Sequence, residues 1–388
     1  MKSNEPFLFK QPKLCYEPLQ VLTKFEEHYS NEKLAEMSAN ELAFLCGLIK
    51  EKKTKKIVEV GISNGGTTSC IIKTVMDFKL DSDVYGVDIS KVCYRNSKYE
   101  SGFLAKEVAK DLDFNKLHIF TGDVVASFLD DIAKNHDIDF LILDTTHSVP
   151  GEILEFIVCY PFLTSNATVV LHDVGMNLIS NNTTEHATKV LFDVVSADKY
   201  MLNLDFTGLS FPNIAAFQLN NRTPDSLNSL FSSLSLSWEY LIDDLYLAKY
   251  LSFIKKYYSE AQYSYLVDLL KVQEYRYFRN FLLREFGVDF MLTNEAWKNT
   301  NNKIVIYGAG SLGKSIYKYA KICGLRVDAI ACSDEYPKPT KDFLDIPVYY
   351  ISELPFKPSE CSFVIASEKK FQTQIKKNLL KYNYYSLL

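Results

Sequence analysis

Short apolar runs alternate with longer amphipathic stretches through the first two hundred residues. "KIVEVG" from Lys56, "DVYGVDI" from Asp83, "KLHIFTGD" from Lys116, "IDFLILD" from Ile138 and "ATVVLHD" from Ala167 have the length and β-branched content of buried strands. The segments between them carry helical spacing. The clearest is "SANELAFLCGLIKEKK", where Ser38 with Glu41 three residues on forms a capping box and Leu42, Leu45, Cys46 and Ile49 share one face. Strand and helix in strict alternation predict a doubly wound parallel α/β sheet. A helix is expected over Glu185–Ser196, then two closing strands in "KYMLNLDFTGLSFPNIAAFQL" around a turn at Gly208–Pro212.

Residues 1–37 read as an extension holding a loop and a short helix around Leu19–His28, and the sheet domain as 38–220. Polar "NNRTPDSLNS" marks a boundary, after which 221–301 read as a helical connector rich in Leu, Tyr and Phe. From 302 to 388 a smaller alternation follows: "KIVIYG", a helix through "SLGKSIYKYAKICG", "RVDAIAC", "VYYIS", "SFVIAS" and a last helix in "KFQTQIKKNLLKY". This predicts a second, smaller Rossmann-like α/β domain.

Composition narrows the function classes. With 388 residues, 47% of them apolar, the chain can fill at least two cores. Its net charge of -5 supplies no broad cationic surface, so nucleic acid is not an expected partner. The first residues lack a signal-peptide apolar region, and no stretch reaches the roughly 18 apolar residues of a membrane span. A cytoplasmic location is expected. The eight cysteines are scattered without a C-x-x-C pair, which argues against a zinc site or disulfide framework and makes them core residues. The connector aromatics, Tyr240, Tyr246 and Tyr250 among them, read as helix packing, and the helices fit a homo-oligomer interface and an interdomain brace equally well.

Candidate chemistry starts at the first strand's end, in "EVGISNGGTT". Residues without Cβ let a helix begin close to a ligand. Glu59, Gly61, Gly65 and Gly66 form E-x-G-x-x-x-G-G rather than the G-x-G-x-x-G of a pyrophosphate turn, and a carboxylate there suits a ligand with a cationic amino-acid end. Asp88, ending the second strand, is placed for a ribose diol; Gly122 and Asp123, ending the third, for an adenine edge. "LILDTTHSVPGE" and "VVLHDVGMN" end two neighbouring strands, so Asp144, His147, His172 and Asp173 should converge on the same crevice. Asp144, His172 and Asp173 could hold a divalent cation that acidifies a hydroxyl, or His147 or His172 could take its proton. The polar segment "VGMNLISNNTTEHATK" has the length of a substrate lid. At 308–313, Gly308, Gly310 and Gly313 match G-x-G-x-x-G between strand and helix, with Asp334 about twenty residues on.

The motif order over residues 38–220 resembles class I S-adenosylmethionine-dependent methyltransferases. That resemblance implies a Rossmann-like methyltransferase sheet with S-adenosyl-L-methionine held by Glu59, Gly61, Ser63, Asn64, Gly65, Gly66, Thr67, Asp88, Gly122 and Asp123. D-x-x-H-x-x-x-G followed by a strand ending H-D is similar to the macrocin-type and mycinamicin-type sugar O-methyltransferases and cephalosporin hydroxylase-like proteins. It implies Mg2+ on Asp144 and Asp173, although His172 stands where many of these have an acidic residue, and imidazole is a poor magnesium ligand. Residues 302–388 resemble the half-Rossmann domains of bacterial surface-sugar pathways and of nucleotide-sugar C-methyltransferases, implying a nucleotide-sugar or other phosphorylated ligand at Gly308–Gly313. Together these imply a methyltransferase acting on a hydroxyl of a sugar, nucleotide-sugar or surface-glycan precursor. A small secondary metabolite as acceptor, a non-catalytic nucleotide-binding scaffold, and an NAD enzyme working from the second turn are the alternatives.

Overall fold

A computed structural model describes residues 9–26, 35–134, 136–176, 186–202, 213–286, 297–335, 345–367 and 369–382. Two compact units divide the chain, Met1–Leu266 and Val267–Leu388.

In the first unit α1 (Gln20–Glu26) and α2 (Ala39–Lys52) precede β1 (Lys56–Val60). The capping box of α2 forms as the sequence predicts: Ser38 Oγ accepts from the Glu41 amide, and Glu41 Oε2 accepts from the Ser38 amide at 2.6 Å. Then come α3 (Gly66–Asp77), β2 (Asp83–Asp88), α4 (Phe103–Asp111), β3 (Leu117–Thr121), the single turn α5 (Leu129–Ile132), β4 (Ile138–Leu143), α6 (Gly151–Cys159) and β5 (Leu163–His172). The helix expected at 185–196 is α7 (Ala187–Val194), followed by β6 (Asp198–Met201) and β7 (Ile214–Gln218). These are the two closing strands; the turn expected between them, at Gly208–Pro212, lies outside the described residues, as does most of the expected lid.

The seven strands order as β3-β2-β1-β4-β5-β7-β6. The first five are mutually parallel, and β7 runs antiparallel to both β5 and β6. The sheet is therefore mixed where the alternation alone predicts a parallel one, because β7 pairs antiparallel with both its neighbours. Central strands are covered on both faces, and Ile57, Val58, Phe140, Leu141, Ile142, Val169 and Val170 are fully buried. Strand order reverses between β1 and β4, which opens a crevice beyond their carboxyl ends.

After the sheet come α8 (Leu227–Ser233), α9 (Asp244–Tyr257) and α10 (Glu260–Phe286). The stretch 221–301 is not one body: α8 and α9 belong to the first unit, and the boundary at 266/267 falls inside α10. The second unit holds β8 (Lys303–Tyr307), α11 (Ser311–Ile322), β9 (Ala329–Cys332), β10 (Val348–Tyr350), β11 (Cys361–Ile365) and α12 (Lys369–Lys381). Its sheet is wholly parallel in the order β10-β9-β8-β11, with a core of Val305, Ala329, Ala331, Phe363 and Ile365. The eight cysteines are free, and all but Cys323 are buried.

The glycine turn of the second unit is built by steric need. A Cβ on Gly313 would lie 1.8 Å from the Gly308 carbonyl oxygen, whereas one on Gly310 meets nothing within 4 Å. Backbone cannot swing aside as a side chain does, so Gly313→Ala should cost roughly 2–3 kcal/mol. Gly310→Ala should cost under about 1 kcal/mol, the loss of a good helix-capping residue. Denaturant unfolding of the full chain, followed through Trp297, which is 3% exposed in this unit, checks the order. Equal losses would contradict the packing account.

Candidate active site

The first glycine turn closes against β4. Gly61 has φ of +88°, and a Cβ there would lie 1.9 Å from the Asp144 carbonyl oxygen, so only glycine lets the two strand ends meet. Asp88 then stiffens the turn from the β2 side. Its Oδ2 accepts from the Ile62 and Ser63 amides at 3.2 and 3.0 Å, and Oδ1 from the Ser90 amide at 2.8 Å. Burial raises this carboxyl above its ordinary value, against those three bonds.

Beyond the turn lies a cavity of about 670 Å³. Of the residues predicted to bind a cofactor, Gly61, Ser63, Asn64, Thr67, Asp88 and Asp123 line it, while Glu59, Gly65, Gly66 and Gly122 do not. Gly65 and Gly66 start α3 behind the turn, the Gly66 amide donating to Asn64 Oδ1 at 3.0 Å. Gly122 donates its amide to the Asp88 carbonyl at 3.0 Å.

Glu59 departs from expectation most. It is 1% exposed and accepts a 2.6 Å bond from Thr68 Oγ1 under the turn. Burial pushes its carboxyl up to about 8, against the Thr68 bond and with further pushes from Asp144 and Asp88. A group in this position braces the turn from below and does not line the cavity. Asp123 is also engaged: it pairs with Lys249 of α9, and burial notwithstanding, that pairing and the Val124 amide hold it below the ordinary carboxylate range.

At the β4 and β5 ends the four predicted residues do converge. His172, 4% exposed, places Nδ1 3.1 Å from Asp144 Oδ1 and 3.3 Å from Asp173 Oδ2, with Nε2 3.8 Å from Glu41 Oε2. His147 places Nε2 2.9 Å from Asp173 Oδ2 and Nδ1 3.3 Å from Glu152 Oε1. Glu152 is held in turn by the His147 amide at 2.7 Å and by Thr145. Burial works against a charge on either ring. The carboxylates outweigh it, raising His147 to about 10 through Asp173 and Glu152 and raising His172 well above its ordinary value through Asp144, Asp173 and Glu41. Asp173 goes the other way, the two rings holding it far below the usual range despite its burial. The surrounding carboxylates thus favour the charged form of both rings.

Only part of this cluster reaches the cavity. Asp144, Thr145 and His147 line it; His172 and Asp173 lie behind. Asp144, His147 and Asp173 have ligand atoms within 4.8 Å of one another and could hold a cation. His172 is not in that set, contrary to the sequence expectation, because Nδ1 is spent on the two carboxylates and Nε2 faces Glu41. Two carboxylates with one imidazole suit manganese, iron or zinc better than magnesium.

Several participants escape sequence reading. Glu41 serves the helix cap and His172 together. Glu155 lines the cavity, where burial and then Glu152 push it up to about 8; a carboxylate inside "ILEFIVC" was the available signal. Tyr240, Tyr246 and Tyr250, read as helix packing, line the cavity as well. In the second unit Gly308 and Gly313 lock the turn, and Asp334 accepts from Ser352 Oγ at 2.7 Å and Tyr382 Oη at 3.4 Å.

Sheet order, glycine turn and acidic residue after β2 define a class I methyltransferase domain. Residues 58–174 match the family model described as "Methyltransferase domain", and the chain thus carries an S-adenosylmethionine-dependent methyltransferase domain. Among solved structures it is similar to an O-methyltransferase from Bacillus cereus in complex with SAH, at 14% identity over 52% of this chain and 90% of that one, TM-score 0.38. It is likewise similar to the O-methyltransferase TomG from Streptomyces achromogenes, involved in tomaymycin synthesis and in complex with SAM. That likeness is 14% identical over 55% and 93% of the two chains, TM-score 0.39. No curated protein matches the chain. Among the described residues no helix is long and apolar enough to cross a membrane.

The raised carboxyl of Glu59 has a consequence for stability. A group whose folded value near 8 lies above its ordinary 4.5 stabilises fully below 4.5, and that contribution fades as pH rises through 8. Each unit of separation corresponds to about 1.4 kcal/mol. Glu59→Gln keeps an acceptor for Thr68 and cannot ionise. Its Tm relative to wild type should climb between pH 5 and 8 and level off above; an offset independent of pH would show that Glu59 is not neutral when folded.

Proposed function

We propose that the protein methylates a hydroxyl of a small, sugar-containing acceptor. The observation that carries the reading is Asp144 and His147 facing the same cavity as the Gly61 turn and Asp88. Ser63, Asn64 and Thr67 would take the amino-acid end of S-adenosylmethionine, and Asp88 its ribose. When bound, that cofactor supplies an electrophilic methyl group.

The chain's own work is to hold the acceptor oxygen and remove its proton. His147, kept charged by Asp173 and Glu152, donates a hydrogen bond and does not act as the base. Asp144, the carboxylate on the wall beside it, accepts the hydroxyl proton. A divalent cation on Asp144, His147 and Asp173, which would have to displace the proton of His147, is the second way to acidify the same hydroxyl.

Charge favours an acceptor without phosphate groups. Among the described residues the cavity lining includes Glu36, Asp88, Asp123, Asp144, Glu155 and Asp243, of which Glu36 is paired with Arg95 and Asp123 with Lys249, and it includes neither lysine nor arginine. A pyrophosphate finds no lysine or arginine on that lining to pair with, so a sugar or glycoside fits the first cavity better than a nucleotide sugar. We assign the phosphorylated ligand, if the chain takes one, to the Gly308–Gly313 turn of the second unit.

Calorimetric titration of the full chain with S-adenosylmethionine, with and without Mg2+ or Mn2+, tests the foundation. Wild type should bind, and Asp88→Ala should bind at least about tenfold more weakly for loss of charge-assisted hydrogen bonds. Transfer of a radiolabelled methyl to neutral glycosides but not to UDP-glucose, lost in Asp144→Asn, would support the acceptor reading. A wild type that binds no S-adenosylmethionine would sink it, and one that binds it but transfers to no acceptor would favour the scaffold alternative.

A further inference from the structure

The cavity is not finished by the sheet. One of its walls comes from residues 240–250, beyond the last strand and outside the stretch matched as a methyltransferase domain. That wall is anchored. Trp238, 2% exposed, donates Nε1 to the Leu234 carbonyl at 2.8 Å, the Glu239 amide reaches the Val149 carbonyl at 3.1 Å, and Tyr240 Oη lies 3.2 Å from Thr146 Oγ1. Asp243 caps α9 by accepting from the Leu245 amide at 2.9 Å. Further along, Lys249 pairs with Asp123, and Phe253 and Tyr257 stack edge-on or tilted against Phe162 at 5.8 and 5.3 Å.

On α9, Asp243, Tyr246 and Tyr250 are spaced three and four apart and share one helical face, the face that lines the cavity. Lys249 of the same helix pairs with Asp123 just after β3, and Ile89 just after β2 and Val124 and Val125 just after β3 also line the cavity. The glycine turn after β1 contributes polar lining, Ser63, Asn64 and Thr67. S-adenosylmethionine has the same division: a zwitterionic amino acid at one end and a flat aromatic base at the other.

We propose that Tyr246, backed by Tyr250, is the aromatic wall on which the adenine of the cofactor rests, supplied by a helix that lies outside the seven-stranded sheet. Lys249, 5.8 Å from the centre of the Tyr246 ring and paired with Asp123, pins that helix to the β3 end and sets the width of the slot. The proposal rests on the S-adenosylmethionine reading and adds to it that cofactor affinity depends on this post-sheet helix.

The test is calorimetric titration of the full chain with S-adenosylhomocysteine, using wild type, Tyr246→Phe and Tyr246→Leu, with thermal unfolding to confirm that each variant folds. Base–aromatic stacking predicts that Phe stays within about twofold of wild type and that Leu binds about tenfold more weakly. Leu binding as tightly as wild type would overturn the proposal, and so would Phe binding as weakly as Leu. A readout on unmutated protein stands beside it: irradiating the aromatic protein resonances should transfer saturation most strongly to the adenine protons of bound S-adenosylhomocysteine. Strongest transfer to the homocysteine methylenes would count against the wall whatever the variants do. Failure of wild type to bind at all removes the cofactor reading and this proposal together, whereas binding that is indifferent to Tyr246 removes this proposal alone.

Discussion

Carboxylates do not go into a protein interior unless something positive goes with them. At the ends of β4 and β5, Asp144, Asp173, Glu152 and Glu41 are brought together from two strands and two helices, and His147 and His172 are the positive groups between them. Breaking such a network by removing one member leaves an uncompensated buried charge, which is far costlier than the network's own net contribution. That asymmetry ties α2, α6, β4 and β5 into one arrangement. Asp173 and His147 both sit at positive φ, 58° and 60°, a backbone cost that the ion pairs offset. The start of α7 is fastened to the same place, with the Ala187 amide on the His147 carbonyl at 2.9 Å and Thr188 Oγ1 on the Asp173 carbonyl at 3.0 Å.

Four carboxylates against two imidazolium groups still leave the cluster short of positive charge. Burial, with further pushes from neighbouring carboxylates, moves Glu59 under the turn and Glu155 on the cavity wall toward their neutral forms. A site of this kind lowers the energy of a cation placed in it and raises that of an anion.

How much of this could be read from residues alone follows from how far each interaction reaches. The strands, the capping box at Ser38 and Glu41 and the glycine turn are local patterns, and periodicity marks most of them closely, although β5 starts at Leu163, four residues ahead of the expected Ala167. Asp144 and Asp173 were legible because parallel strands must open onto one side. The second role of Glu41 was not, because a capping glutamate looks the same whether or not a histidine from the fifth strand lies above it. Glu59 was misplaced for a related reason: an acid at a strand end faces a ligand or the underside of a helix, and only the Thr68 hydroxyl decides which. The division inside α10 escaped as well, since a continuous helix carries no mark at the residue where its partners change.

The tyrosines show the same limit from the side of function. In a chain rich in tyrosine, a helix with aromatic residues three and four apart reads as packing, and much of α9 does pack: Phe253 and Tyr257 against Phe162, Tyr258 through its hydroxyl to the Ile157 carbonyl. Tyr246 and Tyr250 differ only in facing a void. The stretch matched as a methyltransferase domain ends at residue 174, yet the cavity is bounded by residues from Glu36 to Tyr250. A sheet of this kind supplies the turn and the acidic residues at its strand ends, while the flanking segments supply walls and charge. Two chains sharing the sheet can therefore differ in the walls around it, and in this one those walls include the N-terminal stretch at Glu36 and the helix at Tyr246.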